Sequence, residues 1–121
     1  MELDETAAIG DASAAADAWL EHVDAGDVEA GWRETSSLFR RLVDLPRWKE
    51  SLGRVESLFG RPLSRSLGTT RYATSVPGAP DGHYGLMEYD AEFERKQAAV
   101  ETVVAMLDED GAWRVGGYFV R

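Results

Sequence analysis

The stretch TSVPGAPDGHYG, Thr74 to Gly85, sets Asp81 two residues before His83, one of only 2 histidines in the chain. A carboxylate that orients an imidazole suits general-base chemistry, because histidine changes charge near neutral pH and its partner fixes the tautomer. The same stretch places proline and glycine where tight turns need them, so it reads as a turn with an exposed His83 at a strand entrance. His22 follows Trp19 by three residues on the flank of a helix, again without a partner at readable spacing. No catalytic residue is assigned. No hydrolytic, redox or isomerase turnover is expected to depend on either histidine, and loss of a measured turnover in His83→Ala with folding intact would contradict this.

Other candidates are equally bare. DEDG, Asp108 to Gly111, has the acidic density of a calcium loop but lacks the later ligands, and it falls where a hairpin must turn. GRPLSR offers two arginines and a serine with no glycine-rich cradle or helix start behind them, so a phosphate site is unsupported. No metal or cofactor is implied. Trp48 and Trp113, with Tyr72, Met87 and Tyr89, are the candidate lining of an aromatic pocket, although rings of this kind more often fill a core.

Composition narrows the classes further. The chain carries 22 acidic and 13 basic residues, a net charge of −9, which repels nucleic-acid backbones and anionic lipid surfaces. Its 0 cysteines exclude a disulfide framework, a thiolate zinc site and a thiol nucleophile. No apolar run reaches the roughly 18 residues of a membrane span, and MELDETAAIG opens acidic where a secretory leader opens basic. One domain over residues 1–121 is expected, with helices in about 5–60 and a sheet in about 63–121.

The elements follow from periodicity and punctuation. Ala8, Ala12, Ala15, Ala16, Trp19 and Val23 recur at helical spacing and predict an amphipathic helix that stops near Gly26. VEAGWRETSSLFRRLV predicts a short helix around Trp32 and a second turn or helix with Leu38, Phe39, Leu42 and Val43. Asp44 caps the next helix, Pro46 sits in its first turn, and Leu45, Trp48, Leu52, Val55 and Phe59 form its apolar stripe up to Gly60 and Pro62. Beyond Pro62 the period changes to alternation. It predicts four strands, roughly Leu63–Val76, His83–Glu94, Gln97–Leu107 and Ala112–Arg121, joined as consecutive hairpins by PGAPDG, ERKQ and DEDG.

Closing the hairpins symmetrically puts Tyr72, Met87, Val104 and Val115 in one inward row, with Thr70, Tyr89, Thr102 and Gly117 beside it. Arg71 then faces Glu88 and Arg65 faces Glu94, favourable pairs, while Asp90 opposite Glu101 is the one repulsive pair. On this register no aspartate, glutamate or histidine points inward, so an isomerase-like base would have to come from Glu56 or His22 on a helix. The outer face presents Arg71, Leu86, Glu88, Val103, Arg114 and Tyr118, with Leu67, Leu107 and Val120 nearby, as a partner-binding surface, and a homodimer through it is expected.

The resulting class is α+β: N-terminal helices on one face of a curved four-stranded antiparallel sheet, a cystatin-like or NTF2-like arrangement. AWLEHVDAGD, Trp32, Trp48, RPLSR, PGAPDG, Phe93 with Lys96, ETV at Glu101–Val103 and DGAWRVGGYFVR together resemble the bacterial family known as domain of unknown function 4019. Glu56 and His83 depart from the arginine and glutamate expected of that pattern. The resemblance implies this fold and, if a leader was removed, a periplasmic or secreted location, the alternative being a cytoplasmic one; it transfers no catalytic residue. The expected function is a non-enzymatic interaction domain; the alternative is a small apolar ligand held between helices and sheet.

Overall fold

The computed structural model describes residues 3–121. Four helices precede four strands: α1 (Glu5–Asp24), α2 (Val28–Arg33), α3 (Ser37–Leu42), α4 (Leu45–Phe59), β1 (Pro62–Ala73), β2 (Tyr84–Phe93), β3 (Lys96–Leu107) and β4 (Trp113–Val120). Each helix begins on a capping side chain, Asp4, Asp27, Ser36 or Asp44, which accepts a hydrogen bond from a first-turn amide that has no partner within the helix. α4 stops at Gly60, whose φ of 77° lies in the region glycine tolerates.

The sheet is antiparallel in the order β1-β2-β3-β4. α1 crosses its inner face on Ala8, Ala12, Ala16, Trp19 and Leu20, all buried. The small side chains let helix and sheet approach closely, and a Cβ added at Gly85 would lie 2.5 Å from the Ala12 Cβ. Trp48 of α4 joins Trp19, Met87, Tyr89, Val103, Ala105 and Val115 in the main core, and Ala91, Phe93 and Ala99 form a second cluster against Phe59. The link between α2 and α3 covers part of the β4 edge: Thr35 bridges Val115, and the Ser36 amide donates to the Val115 carbonyl at 2.7 Å.

The symmetric register does not hold. The β2–β3 turn is centred one residue earlier than expected, with Lys96 opposite Phe93, which moves the pairing by an even step and leaves the faces as they were. An extra residue within Gln97–Ala98 then moves it by an odd step and exchanges them. Met87 therefore pairs with Val103 on the inside, and Val104 pairs with Leu86 on the outside. Gly68 does the same to β1 and Gly116 to β4. Below Gly68, Arg65 and Leu67 turn inward; beyond Gly116, Tyr118 and Val120 turn inward and Phe119 turns out.

Several expectations change with this. Val103 is fully buried, and Tyr118 packs edge-on against Trp19 at 5.2 Å between centroids, so neither belongs to an outer binding face. Leu107 and Val120 also leave that face. Asp90 pairs with Val100 and Glu101 with Tyr89, and the anticipated repulsion is absent. Arg71 pairs with Leu86, while Glu88 accepts from Thr69 and forms an ion pair with Arg121 at 3.1 Å.

The DEDG segment is a turn. Asp108 accepts from the Ser37 amide at 2.9 Å and from its hydroxyl at 2.6 Å, which ties α3 to the β3–β4 connection. Burial alone would raise the Asp108 pKa, but the Ser37 hydroxyl and amide, the Glu109 amide and Arg114 overcome this and hold it below the usual carboxylate range. Arg114 pairs with Asp110 at 2.7 Å, and its hydrogen bonds hold that carboxyl at about 2. A depressed folded-state pKa contributes stability above the unfolded value, lost as pH falls through the folded one. The stability difference between wild type and Asp108→Asn, measured by urea unfolding, should thus be constant near neutrality and shrink as pH drops below about 4.

Candidate ligand groove

Three of the odd steps in register, at Gly68 in β1, within Gln97–Ala98 in β3 and at Gly116 in β4, converge on one place. Arg65, Glu101 and Tyr118, from three strands, meet Asp24 at the end of α1 beneath the inner face. Arg65 donates through Nε and Nη2 to both Glu101 oxygens at 2.7 and 3.2 Å, and through Nη1 and Nη2 to both Asp24 oxygens at 2.5 and 2.9 Å. The Tyr118 hydroxyl donates to Glu101 Oε2. Glu101 has 0% exposure, so this fork is what makes a charge tolerable at that depth. Burial tends to lower the Arg65 pKa, yet the hydrogen bonds and charges of Asp24 and Glu101 carry it upward. Burial, then the Glu101 charge, raises the Tyr118 pKa, which keeps the hydroxyl a donor. Tyr89 is raised likewise by burial and by its 2.9 Å hydrogen bond to Asp17.

A carboxylate thus does face inward, contrary to the symmetric register. It is enclosed and spent on Arg65 and Tyr118, which leaves it poorly placed to meet a substrate.

Over Asp24 and Tyr118 opens a groove of about 480 Å³ between the end of α1, α4 and the start of β1. Its apolar walls are Val23, Val28, Leu52, Val55, Pro62 and Phe93, and Lys49, Glu56 and Arg61 supply charge. The volume falls within the roughly 300–1,000 Å³ of small-molecule sites. Gly53 of α4 also lines it, and a Cβ there would meet nothing within 4 Å. Glycine inside a helix costs about 0.5–1 kcal/mol relative to alanine. Gly53→Ala should accordingly stabilise the protein by about that amount in denaturant unfolding.

None of Trp48, Tyr72, Met87, Tyr89 and Trp113 lines this groove. Trp48, Met87 and Tyr89 are core, and Trp113 packs against it. The Trp48 Nε1 is a buried donor without a partner among the described residues. Tyr72 stacks on His83 at 6.0 Å between centroids, its hydroxyl 2.5 Å from Nδ1. His83 is therefore held by Tyr72 and half-buried, instead of the exposed residue expected, and Asp81 makes no hydrogen bond to it among the described residues. Glu56 is at the groove, whereas His22 packs beside Gly31 of α2. Arg71, Leu86, Glu88 and Arg114 remain on the outer side of the sheet, joined by Val104, Met106 and Phe119. Among the described residues no three histidine or acidic side chains converge as a metal site would require. Among the described residues no helix is long and apolar enough to cross a membrane.

Helices over one face of an open antiparallel sheet, with a groove at the mouth between them, define an α+β domain. The chain belongs to the family described as Protein of unknown function (DUF4019), matched over residues 15–118. The matched span runs from within α1 to Tyr118 and so includes every residue of the groove. No curated protein and no solved structure matches the chain.

Proposed function

We propose that the protein is a non-enzymatic binding domain that holds a small, largely apolar ligand in the groove between α1, α4 and the sheet. The observation that carries this reading is the groove itself: apolar walls from separate elements over a floor whose polar groups, Asp24 and Tyr118, are already engaged. Such a site gains affinity from burial of apolar surface and takes its orientation from a few polar contacts. The test uses Nile red, a neutral apolar dye, with native mass spectrometry of protein purified without detergent. Dye uptake or a retained small molecule is expected, and Leu52→Asp should abolish it with the circular dichroism spectrum unchanged. Absence of uptake by a folded wild-type protein would reject the reading.

A second reading, self-association through the outer sheet face, is favoured by one observation. Phe119 is 62% exposed there, beside Val104 and Leu86, on the face opposite the helices. Sedimentation at micromolar concentration checks it. A dimer lost in Phe119→Arg but kept in Ala79→Arg supports this face, and a monomer at every concentration rejects it.

A further inference from the structure

We infer, resting on the groove reading above, that the occupant is a single-chain alkyl amphiphile with an anionic head, lying along α4 with its head at Lys49. The long wall of the groove is one helix face: Lys49, Leu52, Gly53 and Glu56 follow one another at helical spacing, about 10 Å from first to last. Gly53 leaves that wall bare at its middle. No packing within the chain demands glycine there, since an added Cβ would touch nothing and its φ is not positive. Gly10 in α1 is similarly open but does not line this groove. The missing side chain is explained by an occupant that needs the space.

The chemistry of the wall selects an alkyl chain over a peptide. α4 spends its N–H and C=O groups within the helix, and Pro62 has no N–H, so an extended peptide would find no strand edge along this wall and would bury amides without partners. An alkyl chain has none to satisfy. The sign of the head follows from which charges are already paired. Asp24 is held by Arg65, while at the far end the Glu56 carboxylate and the Arg61 guanidinium, neither with an ion-pair partner among the described residues, are of opposite sign and offset each other. Lys49 has no ion-pair or hydrogen-bond partner among the described residues. It is the open charge at its end of the groove in a protein of net charge −9.

Calorimetric titration with dodecanoate, dodecanol and dodecyltrimethylammonium, each below its micelle concentration, tests this alongside Nile red. Dodecanoate should bind about tenfold more tightly than the cationic analogue, and Lys49→Glu should invert that order. Gly53→Leu should abolish binding of all three with an unchanged circular dichroism spectrum, while Arg47→Glu, the same charge change on the same helix outside the groove, should leave the order intact. Equal binding of the three probes would overturn the anionic head and leave the groove reading standing. Uptake of Nile red with no alkyl probe bound would overturn the alkyl ligand. Failure of every probe, Nile red included, would remove the groove reading and this inference with it.

Discussion

Arg65→Met is expected to lower the unfolding free energy by about 3–5 kcal/mol, the largest loss anticipated from any single charge removal in this chain. The side chain is 18% exposed and forks onto Glu101, which is 0% exposed. Without it Glu101 keeps the Tyr118 hydroxyl but loses both guanidinium hydrogen bonds and the opposite charge, in a place water does not reach. Most of the expected cost is therefore that of an uncompensated buried carboxylate, not the net worth of the pair. This separates into a measurable contrast. Adding Glu101→Gln to Arg65→Met removes the charge while keeping an acceptor for Tyr118, and the double variant should recover much of the loss. Urea unfolding of the two variants decides it: a single-variant loss under about 1 kcal/mol, or no recovery in the double variant, would mean that Glu101 is not buried as described.

Val103→Asp and Val104→Asp should differ sharply although they are neighbours. Val103 is fully buried opposite Met87, and a carboxylate there has no cation within its row, so a loss of about 4 kcal/mol or more, or failure to fold, is expected. Val104 faces outward beside Leu86 and Gly117, and its replacement should cost about 1 kcal/mol or less, the scale of strand preference. Thermal unfolding of both, with Met87→Asp as a second inward control, reads out the register directly. The reverse order of severity would restore the symmetric hairpin pairing.

The sequence by itself determined the elements. Asp4, Asp27, Ser36 and Asp44 are legible as helix caps because their short acceptors reach the first free amides, and Gly60 is legible as a stop because only glycine takes its φ without strain. The inward face of β2 was equally plain: Met87, Tyr89, Ala91 and Phe93 alternate with Glu88, Asp90 and Glu92, and burial follows that alternation. In β3, by contrast, AAVETVVAML is apolar in both phases, so Ala99, Val103 and Ala105 compete evenly with Val100, Val104 and Met106 for the inside. Local pattern favoured placing Glu101 in water. Only the tertiary structure could reverse that, because the arginine that makes its burial tolerable comes 36 residues earlier in the chain. The same holds for the groove, whose Asp24, Leu52, Pro62 and Tyr118 lie in four separate elements or their junctions. Gly68 alone in β1 and the Gly116–Gly117 pair in β4 were the available signals that the ladder slips there, and a slip of one residue exchanges the two faces of everything beyond it. Those slips, summed over β1, β3 and β4, bring Arg65, Glu101 and Tyr118 to a common side, since each strand's face depends on its partner's register as well as on its own residues.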